Sequence, residues 1–216
     1  MAERSGATAR SPESARPGRA GTFDYDTFDY DRTVALSDGV FAIALTLLVL
    51  NIPIPSADGD LWGQLRDLLP NLGAYALSFV VIATMWRYHH VFCRELDRIN
   101  ARLTTLNLLY LGLIALIPFP TGLIAERGDE SAAVIVYAIT IALVTGMAAA
   151  MNLYAQRAGL TARRGRPIAH YLVVPGVFIA SIPIAAIDAE AGMYSWLALP
   201  MLIHLINRRQ RAGESG

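Results

Sequence analysis

The sequence contains no lysine and a single cysteine, Cys93. Every basic side chain is therefore an arginine, and the lone thiol excludes both an internal disulfide and a Cys-x-x-C metal or redox pair. The formal net charge is +0, which gives no reason to expect nucleic acid as a partner. The sequence also has no G-x-S-x-G, Walker or G-x-G-x-x-G pattern, so it offers no support for an enzymatic activity.

The sequence consists largely of long apolar stretches. Hydrophobic residues make up 54% of the chain and the mean hydropathy is +0.40, which favours a membrane protein over a soluble one. Because roughly 20 apolar residues of helix cross a bilayer core, the pattern predicts an all-α protein with six transmembrane helices. The predicted spans cover residues 32–52, 68–91, 103–124, 132–156, 168–187 and 193–207.

The connections between these spans alternate in charge. Arginine resists translocation, so arginine-rich connections mark the cytoplasmic side. Arginines are concentrated before span 1, between spans 2 and 3, between spans 4 and 5, and after span 6, whereas the other connections are mainly acidic. The alternation predicts that both termini are cytoplasmic. The alternative, a soluble bundle of core helices, would need this alternation to arise by coincidence.

The same pattern divides the chain into a cytoplasmic N-terminal tail over 1–31, a transmembrane domain over 32–207 and a cytoplasmic C-terminal tail over 208–216. The first tail is rich in Arg, Ser, Gly, Pro and Asp, which predicts disorder, and it lacks the apolar core of a signal peptide. Within it, Phe-Asp-Tyr-Asp occurs at 23–26 and again at 28–31. This repeat either docks on the protein or the membrane interface, or it is a chance repetition in a solvated tail.

The first span carries the most specific motif. It begins with Arg32 and continues through Ser-Asp-Gly-Val-Phe-Ala-Ile at 37–43 and Thr-Leu-Leu at 46–48. This helix resembles the signature of the transmembrane protein 175 family of potassium channels, with Leu36 where that family usually has phenylalanine. Further residues similar to the family's weaker landmarks are Trp86, His89, Asn107 and the Pro-Phe-Pro-Thr run at 118–121. The later spans match only in number, length and hydropathy.

The resemblance implies a homotetramer in a bacterial inner membrane, in which four copies of the first span surround a pore for potassium ions. It assigns stacked apolar rings to Ile43, Leu47 and Leu50 and places Thr46 near the ion path. The three apolar residues are spaced i, i+4, i+7, so they share one face of a helix. A constriction of this kind gates by dewetting. The bilayer and potassium are the expected partners, and no cofactor or resident metal is expected.

The sequence has no Thr-Val-Gly-Tyr-Gly loop, so the carbonyl selectivity filter of ordinary potassium channels is absent. We therefore expect modest selectivity, set by pore width and ordered water near Ile43 and Thr46. The acidic connections on the predicted outer side should concentrate cations at low ionic strength.

A polar cluster is predicted behind this stripe. An ionisable side chain within a membrane span costs about 2.5 to 3.5 kcal/mol on insertion scales, so Asp38 requires a partner or water. The helix order brings the inner ends of the first three spans together. We therefore expect a cluster that joins Ser37, Asp38, His89 and Asn107, with Arg32 and Trp86 at its edge. The cluster either staples the helices together or, because an imidazole titrates near neutral pH, takes part in gating or proton sensing.

Other interpretations remain open at the level of sequence. A proton-coupled secondary transporter would use Asp38 and His89 as a relay, although the second half of the chain has no counterpart of the Ser-Asp-Gly run that inverted repeats would predict. A non-conducting membrane scaffold is a third possibility. His89, His90 and Cys93 resemble a metal cluster on paper, but adjacent histidines on a helix point about 100° apart, and we expect no metal site there.

Overall fold

The computed structural model describes residues 25–161 and 168–196, and within these ranges the chain is helical, with no strand. Eight α-helices and one 3₁₀ turn follow one another. They are α1 (Tyr25–Leu47), the 3₁₀ turn (Leu48–Asn51), α2 (Leu61–Asp67), α3 (Leu69–Arg94), α4 (Ala101–Leu116), α5 (Pro118–Arg127), α6 (Ser131–Arg157), α7 (Ile168–Ile187) and α8 (Ala189–Ser195).

Four helical segments are long and apolar enough to cross a membrane: Tyr30–Asn51, Leu69–Arg94, Ala101–Arg127 and Ser131–Arg157. They coincide with the first four predicted spans, so the all-helical membrane class is confirmed for the described residues. The fifth predicted span, 168–187, coincides with α7, whose apolar part Tyr171–Ile187 is shorter. Most of the sixth, 193–207, lies outside the described residues. The count of six and the orientation of the termini stay predictions.

The first and third spans differ in detail from their predicted extent. α1 begins at Tyr25, inside the segment predicted to be a disordered tail, and residues 1–24 lie outside the described part. Its last turn tightens into the 3₁₀ turn just before Pro53, because the residue preceding a proline is disfavoured in the α region. The third span is divided between α4 and α5 at Ile117, since Pro118 has no N–H to continue the helical ladder.

One side of α1 faces the other helices of the bundle. Ser37, Phe41, Ala44 and Leu48 are all buried, and their spacing of i, i+4, i+7, i+11 places them on one stripe. This stripe packs against α3, α4 and α5. The opposite side of α1, which carries the predicted pore residues, therefore points away from the rest of the chain.

Charges of opposite sign collect at the two ends of the bundle. At one end the α3–α4 connection meets the end of α6, where the Asp97 N–H donates to the Leu160 carbonyl oxygen at 2.9 Å. Arg94, Arg98, Arg102 and Arg157 belong to this end. At the other end a cavity of about 750 Å³ is lined by Asp67, Glu126, Asp129 and Glu190, among others. The fold thus gathers alternating connections into one arginine-rich end and one acidic end.

Candidate functional site

The site contains a buried chain of hydrogen bonds across three helices, which we call the histidine cluster: Ser37 on α1, Asn107 on α4 and His89 on α3. The Asn107 amide nitrogen donates to Ser37 Oγ at 3.1 Å, and Asn107 Oδ1 lies 2.8 Å from His89 Nε2. Because that amide oxygen can only accept, His89 Nε2 carries the proton. Asn107, on α4, thus links α1 to α3.

Packing around His89 is aromatic. Its ring stacks on Tyr110 with a centroid distance of 5.4 Å and an interplanar angle of 7°, and Phe41 lies 5.6 Å away at a tilt. Cys93 Sγ lies 3.6 Å from His89 Nδ1. Every buried side-chain nitrogen and oxygen atom of the described residues has a hydrogen-bond partner, so the histidine cluster is a satisfied polar network inside an apolar bundle.

Asp38 lies beside this cluster and has a different partner. One helical step after the buried Ser37, its side chain is exposed on the single chain and accepts a hydrogen bond from Trp86 Nε1 at 2.8 Å. Trp86 in turn lies against His90, with ring centroids 5.7 Å apart. Arg32 is exposed on the same helix. The structure therefore separates the predicted polar set into the histidine cluster and an Asp38–Trp86 pair, which both connect α1 to α3.

The four residues expected at the pore all lie on the outward side of α1. Ile43 is 59% exposed and Leu50 is 75% exposed, and Thr46 and Leu47 are exposed as well. The Thr46 hydroxyl donates to the Ile43 carbonyl oxygen at 2.9 Å. This bond uses the hydroxyl hydrogen and not the lone pairs of the hydroxyl oxygen. Residues three apart eclipse in a 3₁₀ turn, which brings Leu50 over Leu47.

No group of three or more His, Cys, Asp or Glu side chains among residues 25–161 and 168–196 is arranged to hold a metal ion. His89 faces Asn107 and Tyr110, whereas His90 lies against Trp86. The two neighbouring histidines thus lie on different sides of α3: His89 contacts α4, whereas His90 lies against Trp86 of its own helix.

A family model described as "Endosomal/lysosomal potassium channel TMEM175" matches residues 32–118. That stretch contains α1 from Arg32 onward, the Asp38–Trp86 pair and the whole histidine cluster. Over this stretch the chain is similar to the TMEM175 family. The description is that of an ion channel, which is not an enzyme class.

Individual relatives show the same likeness. A potassium channel of Streptomyces collinus is 45% identical over 115 residues, which cover 52% of this chain and 56% of that protein. The human "Endosomal/lysosomal proton channel TMEM175" is 34% identical over 113 residues, 46% of this chain and 22% of that protein. The aligned part of the chain thus spans about half the length of the bacterial relative and less of the human one.

Solved structures extend the likeness beyond the matched stretch. The crystal structure of a lysosomal potassium-selective channel TMEM175 homolog from Chamaesiphon minutus superimposes with a TM-score of 0.72 at 29% identity, covering 82% of this chain and 97% of that one. A potassium channel variant crystallised with a nanobody fusion gives a TM-score of 0.59 at 19% identity, covering 86% of this chain and 94% of that one, which supports the fold alone.

Sequence reasoning missed how the C-terminal end of α1 is attached to the bundle. Asn51, in the 3₁₀ turn, donates from Nδ2 to the carbonyl oxygen of Pro118, the first residue of α5, at 2.8 Å. Asn71 donates to the Asn51 carbonyl oxygen at 3.4 Å. A side chain at Gly122 would meet Asn51 Oδ1 at 3.0 Å, so α5 approaches closely here. An asparagine at the end of an apolar span, two residues before a proline, was the available signal.

Sequence reasoning also missed a second buried network, which we call the tyrosine cluster: Ser78 on α3, Thr121 on α5 and Tyr137 on α6. Thr121 Oγ1 donates to Ser78 Oγ at 2.7 Å, and the Ser78 and Tyr137 hydroxyls lie 3.1 Å apart. Tyr137 also stacks on Trp196, with ring centroids 5.1 Å apart. Thr121 and Tyr137 lie beyond the stretch that the TMEM175 model matches. Polar residues in the middle of three apolar spans were the signal.

Proposed function

We propose that the chain is a subunit of a potassium-permeable cation channel. The observation that carries this proposal is the division of α1 into two sides: one packs on α3, α4 and α5, and the other presents Ile43, Leu47 and Leu50 outward. The bacterial relatives bear the name potassium channel, and the family match includes all of α1 from Arg32 onward. We take the bacterial inner membrane as its location.

In this proposal four copies of the chain surround a central axis, and α1 of each copy lines the pore. A closed cyclic assembly is what a pore on a shared axis requires. The outward side of α1 then forms stacked rings from Ile43, Leu47 and Leu50, with Thr46 beside them. Such rings offer no polar ligand to an ion, so a narrow ring dewets and closes the pathway without a charged latch.

The histidine cluster braces the pore wall from behind. Asn107 holds α1 to α3 and α4 through two hydrogen bonds, and the Asp38–Trp86 pair adds a third connection on the exposed side. Helix–helix hydrogen bonds inside a membrane contribute about 0.6 kcal/mol each on average and up to about 1.7. Several of them together hold the position of the Ile43 side chain against thermal motion of the helix.

The acidic end of the bundle suits a cation pathway. Asp67, Glu126, Asp129 and Glu190 line the same broad opening, and their fields add there. This end is the predicted outer side, so the carboxylates raise the local cation concentration near the pore entrance. The effect weakens as salt shortens the Debye length to about 8 Å at physiological ionic strength.

The first test is potassium flux from liposomes that contain the purified protein under a potassium gradient. A channel gives flux that follows the electrical potential without a pH gradient, whereas the proton-coupled transporter requires protons to move with potassium, and a scaffold gives no flux. Asp38 and His89 bond to Trp86 and Asn107, respectively, an arrangement that favours bracing over a relay between them. Cross-linking in the same liposomes counts the subunits.

The second test places a polar side chain at the proposed constriction. We expect Ile43→Asn to wet the ring and raise the potassium flux or weaken selectivity over sodium, because water then remains at the narrow point. Ile179→Asn is the matched control: Ile179 is 58% exposed on α7, against 59% for Ile43. Flux that is the same in Ile43→Asn, Ile179→Asn and the unmodified protein would show that Ile43 does not form the constriction.

A further inference from the structure

A separate cavity of about 110 Å³ lies between α3, α4, α6 and α7. No residue of α1 lines it, and His89 and Tyr110 of the buried core form part of its wall. The greater part of the remaining wall is apolar, from Met85, Phe92, Val144, Ala148, Met151 and Val174. The cavity is therefore distinct from the proposed pore, although it shares His89 with the histidine cluster.

Three of the polar side chains around this cavity, Thr145, Asn152 and His89, bond to groups other than a cavity occupant. The Thr145 hydroxyl donates to the Ile141 carbonyl oxygen at 2.7 Å, and the Asn152 amide donates to the Ala148 carbonyl oxygen at 2.9 Å. His89 Nε2 bonds to Asn107. A bound water needs two to four polar partners, whereas most of this wall is apolar. An uncharged, apolar occupant fits the wall better than water or an ion.

The volume of the cavity limits the size of the molecule that it can hold. An apolar cavity of about 150 Å³ stays dry and accepts benzene, so the space here suits a few carbon atoms of hydrocarbon. Filling it would restore dispersion contacts to side chains such as Met85 and Met151, which adapt readily to the shape of a neighbour.

The cavity reaches the outer surface of the bundle. Tyr88, one of its lining residues, is 46% exposed, and Val173 on α7 is partly exposed. Tyr88 belongs to a helix long and apolar enough to cross a membrane, and Val173 belongs to the shorter apolar helix Tyr171–Ile187, so acyl chains are the medium we expect next to them. We propose that the cavity between α3, α4, α6 and α7 binds the end of a lipid acyl chain. This binding does not depend on the proposed channel activity.

The test uses the full chain in liposomes with a phospholipid that carries a diazirine near the end of one acyl chain. After irradiation, mass spectrometry maps the labelled peptides. We expect label on α3 and α6 residues of the cavity wall, such as Met85 and Met151. In Ala148→Leu this label should fall about tenfold, because the added side-chain volume and an acyl chain cannot share the space. Ala150→Leu, on the exposed side of the same helix, should keep it.

A second arm separates a lipid tail from a free hydrocarbon. A short alkane that carries a diazirine but no headgroup is added to liposomes of unlabelled lipid. Label on the cavity wall from the alkane but not from the phospholipid would overturn the proposal, as would no label from either probe or equal label in Ala148→Leu and Ala150→Leu. Ala148→Val, which adds less volume, replaces Ala148→Leu if size exclusion shows that the larger variant is misfolded.

Discussion

The two buried polar networks of this chain hold different helices. The histidine cluster (Ser37, Asn107 and His89) attaches α1 to α3 and α4, whereas the tyrosine cluster (Ser78, Thr121 and Tyr137) joins α3, α5 and α6 and does not include α1. In the histidine cluster, the side-chain amide of Asn107 bonds to both Ser37 and His89. In the second, three hydroxyl groups share the bonds. The comparison indicates that the proposed pore helix is held by its own set of contacts, separate from those that hold the scaffold behind it.

The largest effect is expected at the centre of the histidine cluster. Asn107→Leu removes two interhelical hydrogen bonds and leaves the His89 Nε2–H buried without a partner, which costs about 1 to 3 kcal/mol. Thermal unfolding followed by size exclusion should show a lower midpoint, and potassium flux should change as well. Thr140→Val is the control, because the Thr140 hydroxyl donates to the Val136 carbonyl oxygen within its own helix. Equal stability of both variants would refute the bracing role of Asn107.

A smaller effect is expected at the Asp38–Trp86 pair. A hydrogen bond to a charged group contributes about 1.5 to 3 kcal/mol when buried, and the exposure of Asp38 places this one at the low end or below. Asp38→Ala should weaken assembly as judged by size exclusion. Trp86→Phe should reproduce part of that loss, and the double variant should be no worse than Asp38→Ala. Strict additivity of the two changes would mean that they do not act through one contact.

The smallest effect is expected in the tyrosine cluster. Tyr137→Phe removes one hydroxyl but leaves the Thr121–Ser78 bond and the stacking on Trp196 in place, so the loss should be about 0.6 kcal/mol. Potassium flux in liposomes should stay at the level of the unmodified protein. A change in flux as large as that in Asn107→Leu would erase the distinction between the two networks.

The sequence predicted much of the fold because hydropathy and loop charge act locally. The first four spans and α7 coincide with their predicted positions to within a few residues, apart from the early start of α1 at Tyr25. The break between α4 and α5 was less visible, although Pro118 is its direct cause. A hydropathy window averages over that proline, so it predicts one continuous span.

The candidate site was predicted less completely. The membership of Ser37, His89 and Asn107 in one cluster could be predicted from their common depth in neighbouring spans, but the partner of Asp38 could not. Depth places Trp86, His89 and Asn107 equally near Asp38. Only the rotation of α3 about its axis decides that Trp86 reaches the carboxylate while His89 turns inward to Asn107.

By itself the sequence determined that the chain is a helical membrane protein with one arginine-rich and one acidic end, since bilayer thickness and the energy of charge in lipid act on short stretches of chain. It also determined the motif on α1. The tertiary structure alone decided which side of an almost uniformly apolar helix is buried. That choice depends on how Phe41, Ala44 and Leu48 fit between neighbouring helices, because contacts between distant parts of the chain have no local signature.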